Sequence, residues 1–182
     1  VGHSALVDKI IAEIRGNGPM TFARFMEMAL YDPQDGYYMT SGKNVGGQMS
    51  QRIGWQGDFY TAPELSPVLA RTLVHQVMEI DKYLGHPPEF EFVEMGAGTG
   101  ALARDFLLSC QNEAPDLWKR LVYYIVERSP SLRAVQQQEI FEGIGHGESS
   151  RVQWLSSLAD CHDKSVTGVL FSNELVDAFP VH

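Results

Sequence analysis

Basic residues are scarce in this sequence. Fourteen Lys and Arg stand against 23 Asp and Glu, a formal net charge of −9 over 182 residues. A nucleic-acid partner is therefore not expected, because no basic stripe is available to neutralise phosphates. The excess acid suits a cationic substrate, although acidity of this size also serves solubility alone. Cysteine is nearly absent: Cys110 and Cys161 are the only two. They form no C-x-x-C pair and have no histidine at ligand spacing, so no zinc or other metal site is expected and a reducing compartment fits. Long apolar runs are missing as well. No stretch approaches membrane-spanning length, and the first residues do not read as a signal peptide. Internal repeats and low-complexity segments are absent. What remains, 44% hydrophobic and 20% charged residues, is a globular composition rather than a disordered one, of a length for about one domain.

The informative stretch is Glu91-Phe92-Val93-Glu94-Met95-Gly96-Ala97-Gly98-Thr99-Gly100. An apolar strand ends in an acid and turns through three glycines, and Leu102, Phe106 and Leu107 then mark a helix. Glycines in such a turn let a ligand approach the backbone, and the helix start offers free N–H groups and a partial positive charge. That is the layout of a nucleotide-type cofactor site in a doubly wound α/β fold. A tight turn with no ligand would explain the glycines alone; Glu94 and the spacing favour a cofactor. E-x-G-x-G-x-G resembles motif I of class I S-adenosylmethionine methyltransferases. The letters also satisfy the dinucleotide fingerprint, with Ala101 in its last position. An NAD-binding oxidoreductase is therefore the rival enzyme class.

Upstream, Leu6, Val7, Ile10, Ile11 and Ile14 share one face of a helix over 4–15, stopped by Gly16, Gly18 and Pro19. A second helix is expected over 21–30, with Phe22, Phe25, Met26 and Met28 as core. A turn-forming segment leads from Tyr31 to Tyr37 and Tyr38. Residues 39–57, rich in Gly, Ser, Asn and Gln, read as a long mobile loop. Ser66 and Pro67 open a helix with Leu69, Leu73, Val77 and Ile80 along it, ending at Gly85. After Pro87-Pro88, strands are expected at 91–95, 121–126, near 151–155 and at 168–171. A helix capped by Ser129-Pro130 turns Leu132, Val135 and Ile140 inward. Alternation of this kind implies a parallel sheet with right-handed crossovers.

Glu127 ends the second strand, where an acid in a doubly wound fold can accept both ribose hydroxyls of an adenosine moiety. The alternative is a weak surface pair with Arg128 or Arg133. Glu127 follows Gly96 by 31 residues, against about 20 in dinucleotide folds, which counts against NAD. Asn173 and Glu174 follow the fourth strand, beyond the carboxyl ends where ligands sit. A carboxylate there can hold a guanidinium or ammonium group and orient its nitrogen. Methyl transfer is an in-line displacement, so positioning is most of the catalysis. Otherwise Asn173 caps a turn, and Glu174 and Asp177 are solvated.

Together these residues resemble the MidA-type methyltransferases, whose mitochondrial member is an assembly factor of respiratory complex I. The resemblance runs over nearly the whole chain. It includes Phe25-Met26 through Ala29-Leu30-Tyr31, Asp35-Gly36-Tyr37-Tyr38, Gly57-Asp58-Phe59-Tyr60-Thr61-Ala62-Pro63-Glu64 and the glycine turn. It continues through Val126-Glu127-Arg128-Ser129-Pro130 and Asn173-Glu174 with Asp177-Ala178-Phe179-Pro180. The family's usual L-G-P-G-R-G stands here as Met95-Gly96-Ala97-Gly98-Thr99-Gly100, without its arginine, and residues 39–57 look longer than usual. The resemblance implies S-adenosyl-L-methionine as cofactor and a protein substrate. For the mitochondrial member it implies arginine methylation of a complex I core subunit. On that basis Glu94, Gly96, Gly98, Gly100 and Glu127 are expected to bind the cofactor. Asp58, Thr61 and Glu64 would close the site from the N-terminal side, and Glu174 with Asn173 would orient the acceptor nitrogen. A non-catalytic scaffold that keeps a cofactor fold is the rival from another class. The expected compartment is the bacterial cytoplasm, or alternatively the mitochondrial matrix.

The methyltransferase sheet has seven strands, and four are legible here. The expected fold is thus a partial Rossmann-like α/β core over 89–182, preceded by a helical and loop lid segment over 1–88, within a longer protein. The chain opens on Val1 rather than Met. Such a piece is expected to be inactive alone. Its edge at 168–171 would pair with another copy or be covered by the C-terminal remainder of the same protein.

Overall fold

A computed structural model of the chain describes residues 4–40, 44–45, 48–49, 53–54, 57–161 and 166–182. The N-terminal part is built of α1 (Ser4–Asn17), α2 (Phe22–Tyr31) and α3 (Tyr37–Thr40), then β1 (Asn44–Val45) and β2 (Gln48–Met49), then α4 (Ala62–Leu65) and α5 (Val68–Tyr83). Helix α1 has the expected period but buries none of its residues, and Val7, Ile11 and Ile14 stay exposed. It is tied down by charge instead: Lys9 reaches Asp32 and Asp35, and Glu13 pairs with Arg24. Thr21 caps α2 by accepting from the Arg24 N–H at 3.2 Å. Ala23 and Met28 are its buried residues, whereas Phe22 and Phe25, expected as core, stack on each other in the open at 6.1 Å. Within the expected loop, β1 and β2 pair antiparallel, and Ile53 bridges to Phe59. Residues 41–43, 46–47, 50–52 and 55–56 of that loop lie outside the described residues.

Helix α5 starts one residue later than expected, with Pro67 rather than Ser66 at the cap. Its buried positions are Ala70, Val74, Val77 and Asp81; Leu69 and Leu73 flank the core, and Ile80 is exposed. The smaller side chains are the ones turned inward, and small residues at a contact let two helices approach closely.

The centre is a parallel sheet of β3 (Phe90–Met95), β4 (Leu121–Val126), β5 (Val152–Leu155) and β6 (Gly168–Ser172), in the order β5-β4-β3-β6. Helices α6 (Ala101–Glu113) and α7 (Pro115–Trp118) connect β3 to β4, and α8 (Pro130–Ile144) lies between β4 and β5. Phe92 packs on Phe106 at 4.4 Å and on Tyr123 at 5.0 Å, in a core shared by α5, α6, α8 and the sheet. Ser129 caps α8 as expected, with Pro130 behind it. The residues α8 buries are Leu132, Gln136, Ile140 and Ile144, four apart; Val135 is only half-buried. At the opposite end of the strands, both Nη atoms of Arg120 donate to Asp81, at 2.9 and 2.8 Å, and Nη1 also donates to the Pro87 carbonyl at 2.6 Å. This joins the end of α5 to the entries of β3 and β4.

The strand order decides where a ligand can go. From β3 the chain builds outward through β4 and β5, then returns to pair β6 on the free side of β3. The carboxyl ends of β3 and β6 therefore stand side by side where the strand order reverses, the place at which open α/β sheets bind ligands. On the outer strand β6, Leu170 is 59% exposed. Among the described residues no helix is long and apolar enough to cross a membrane.

Candidate functional site

The glycine turn lies between β3 and α6. Gly96, Gly98 and Gly100 have φ of 75°, 56° and 92°, in the left-handed region that favours glycine. A Cβ at Gly100 would sit 3.2 Å from the Gln136 Cα, and one at Gly96 would sit 2.7 Å from the Leu175 Cδ1. Gly100 thus lets α6 close on α8, and Gly96 makes room for the loop after β6. Gly100 supplies no side-chain cap to α6, so the first-turn N–H groups have no side-chain acceptor there.

Glu127 stands at the end of β4, next to the turn. Its Oε1 accepts from the Ser129 N–H at 2.8 Å, and its Oε2 accepts from Gln136 Nε2 at 3.2 Å. Burial pushes its carboxyl above the usual value, opposed by those two hydrogen bonds. The surface pair with Arg133 does not form. Arg133 donates instead to the Glu127 main-chain carbonyl, through Nε at 2.8 Å and Nη2 at 2.6 Å. Gln136 was not expected at the site. It is fully buried, donates to the Gly98 carbonyl at 3.0 Å and accepts from Trp154 Nε1 at 2.9 Å. One side chain therefore joins the glycine turn, Glu127 and β5. Its signal in the sequence was a polar residue midway between Leu132 and Ile140 on an inward face.

Glu94 is 2% exposed, and its Oε2 accepts from the Tyr123 hydroxyl at 2.7 Å. Burial pushes its carboxyl up to about 7, with the tyrosine opposing. The N-terminal part closes over this wall. Glu64 on α4 accepts from the Thr99 hydroxyl within the glycine turn. Thr61, Pro63 and Ile53 line the same cleft, and the Tyr31 hydroxyl donates to the Ala178 carbonyl at 2.9 Å. Asp58 stands outside the lining. It is exposed and accepts from the Tyr37 hydroxyl at 2.9 Å.

On the far wall, Asn173 and Glu174 leave β6 and line the cleft. Glu174 has φ of 49°, uncommon for a residue with a side chain, while Leu175 packs against Gly96. The structure thus brings together Glu64, Thr61, Glu94, Gly96, Gly98, Glu127, Asn173 and Glu174 around a cleft of about 820 Å³ counted to its open mouth. A neighbouring recess shares Gly96, Glu127, Tyr31 and Tyr38 and runs on to Arg128 and Ser156–Leu158. Among the described residues no group of three potential metal ligands occurs.

A parallel sheet in this order, with a glycine turn at its switch point and an acid at the end of the neighbouring strand, defines a Rossmann-like α/β protein built for a nucleotide-type cofactor. The comparison with known families makes the class particular. Residues 68–182 match a family of S-adenosyl-L-methionine-dependent methyltransferases, and the chain belongs to that family. It is similar to the mitochondrial protein arginine methyltransferase NDUFAF7 homolog of Drosophila melanogaster, 28% identical over 196 residues, covering 100% of this chain and 42% of that protein. The Xenopus tropicalis protein arginine methyltransferase NDUFAF7 is 31% identical over 138 residues, covering 75% of this chain and 30% of that one. A Burkholderia thailandensis protein crystallised with S-adenosyl-homocysteine superposes with a TM-score of 0.79 at 34% identity, covering 97% of this chain and 42% of that chain. These relatives bear out the resemblance to the MidA-type family. The chain spans less than half the length of each.

Proposed function

We propose that this chain forms the cofactor-binding part of an S-adenosyl-L-methionine-dependent methyltransferase that N-methylates arginine in a protein substrate. The observation that carries this is the cleft itself: Glu94, Glu127 and the glycine turn make one wall, and Asn173 with Glu174 makes the other. The residues present fit the cofactor. Glu94 is a buried carboxylate with one described hydrogen-bond donor, which suits an ammonium group. Glu127 lies at the strand end where ribose hydroxyls are accepted. When bound, the cofactor supplies an electrophilic methyl group on a sulfonium.

The chain's own residues then bind and orient. Gly96 and Gly98 let the backbone approach the ligand, Gly100, outside the cleft lining, lets α6 close on α8, and the start of α6 offers N–H groups to the ligand's carboxylate. Thr61 and Glu64 close the site from above. Asp58 acts at one remove, through Tyr37, whose ring packs edge-on against Tyr38 at 5.1 Å. The lid segment lies within 1–88, and α5, although inside those bounds, packs with the core of the sheet. Glu174 and Asn173 hold the guanidinium and turn one nitrogen toward the methyl group. The names of the relatives support arginine as acceptor. A complex I subunit or its homologue is the substrate we favour. Mitochondrial relatives support the matrix as compartment, and the Burkholderia neighbour supports a bacterial cytoplasm.

The test uses the intact protein. A Glu174→Gln variant is expected to keep its affinity for S-adenosylhomocysteine and to lose methyl transfer by about 10²-fold or more. Undiminished transfer would make Glu174 structural. Mass spectrometry of methylated arginines, with and without the gene, separates the enzyme from a scaffold. Binding of NAD in place of S-adenosylhomocysteine would overturn the assignment.

A further inference from the structure

Gln136 is fully buried in the middle of α8, and it lines neither the cleft nor the neighbouring recess. A buried side-chain amide needs acceptors for its N–H groups and a donor for its oxygen. Here the three partners come from separate elements. Nε2 donates to the Gly98 carbonyl at 3.0 Å and to Glu127 Oε2 at 3.2 Å, and Oε1 accepts from Trp154 Nε1 at 2.9 Å. An indole N–H only donates, and a carbonyl or an ionised carboxylate only accepts. The amide therefore has one orientation that satisfies all three. Turned over, Oε1 would face two acceptors and Nε2 a donor. Gly100 allows the close approach, since a Cβ there would sit 3.2 Å from the Gln136 Cα and 3.4 Å from its Cβ.

The last torsion of a glutamate side chain is broad, so a carboxylate plane is set by its partners. The Ser129 N–H holds Glu127 Oε1 at 2.8 Å from the strand-to-helix turn, and Gln136 holds Oε2 from two turns further along α8. Donors on both oxygens fix that plane. Arg133 bears on the same residue at its main-chain carbonyl, and the Arg128 N–H on its carboxylate. Those contacts are local in sequence, whereas Gln136 ties the acid to Gly98 and, through Trp154, to β5. Resting on the cofactor assignment above, we propose that Gln136 is a positioning residue for the cofactor's ribose: anchored by Trp154 and Gly98, it fixes the Glu127 carboxylate for the two ribose hydroxyls without touching the ligand. Because the same amide holds Gly98, it also sets the spacing between Glu127 and the glycine turn.

Titration calorimetry on the intact protein compares S-adenosylhomocysteine with its analogue lacking both ribose hydroxyls, which offers nothing to Glu127. Gln136→Met keeps the length of the side chain and removes both its donor and its acceptor. It is expected to weaken S-adenosylhomocysteine about tenfold and to change binding of the analogue about twofold or less. Retained analogue binding itself reports a folded variant. Trp154→Phe removes the donor that anchors Oε1 and leaves Gln136 in place. It is expected to weaken S-adenosylhomocysteine about threefold, with the analogue unchanged, and it decides the matter if Gln136→Met does not fold. Equal losses for the two ligands, or no loss for either, would make Gln136 a core residue only and overturn the proposal while the cofactor assignment stands. Failure of the native protein to bind S-adenosylhomocysteine would overturn both.

Discussion

Glu94 sets a pH dependence that runs against the usual direction for a carboxylate. Its folded value of about 7 lies above the ordinary 4.5, so between those values the folded state binds more protons than the unfolded one. Stability from this group is full below about pH 4.5 and falls as pH rises to about 7, by on the order of 3 kcal/mol. Glu94→Gln removes the penalty. Urea unfolding across this range is expected to show a flatter profile for the variant and greater stability than the native chain at about pH 8. Gln136 works in the opposite sense. Its replacement by Leu would take the partner from Trp154 Nε1, the Gly98 carbonyl and Glu127 Oε2 at once. We expect a loss of about 1–3 kcal/mol for each group left buried without a partner, read from the same unfolding curves. The sequence exposed Glu94, Glu127 and the glycines because their spacing is local. It did not expose Gln136, whose partners come from three elements.

Elements are joined at the far end of the sheet by Asp81 and Arg120. Asp81 is 4% exposed, and the Arg120 guanidinium, with His86, holds its carboxyl below the usual range against the effect of burial. Stability from this group is present above its unfolded value near 3.8 and is lost as pH falls through the lower folded value. Asp81→Ala leaves a partly buried guanidinium without its counter-ion. A cost of about 3–5 kcal/mol is expected, measured as a lower denaturation midpoint with an unchanged slope. At this scale the strands and the Ser129 cap were legible because alternation, β-branched runs and capping residues act within a few positions. Helices α1, α2 and α5 were legible as helices but not in which side they bury. That depends on which neighbour is present, and α1 only half-buries its inner face, at Leu6 and Ile10.

For the whole molecule, a ligand that binds only the folded state raises stability by mass action. S-adenosylhomocysteine at about 100 times its dissociation constant adds about 2.7 kcal/mol, and for a chain of this length the melting temperature should rise by about 5–10 °C. NAD under the same conditions should leave the melting curve in place. Differential scanning fluorimetry reads both, and a shift with NAD alone would return the site to the dinucleotide class.

By itself the sequence determined the parallel α/β class, the strand–glycine–helix turn, the acid at the end of β4 and the family, because each is carried by neighbouring residues or a short spacing. Only the tertiary structure decided that β6 returns beside β3, opening the crevice between their loops. It also decided that Glu64 reaches Thr99 from 35 residues away while Asp58, six positions earlier, turns to Tyr37. The reason is physical. Propensity and periodicity are short-range, whereas the meeting of four glutamates in one cleft follows from how separate elements pack.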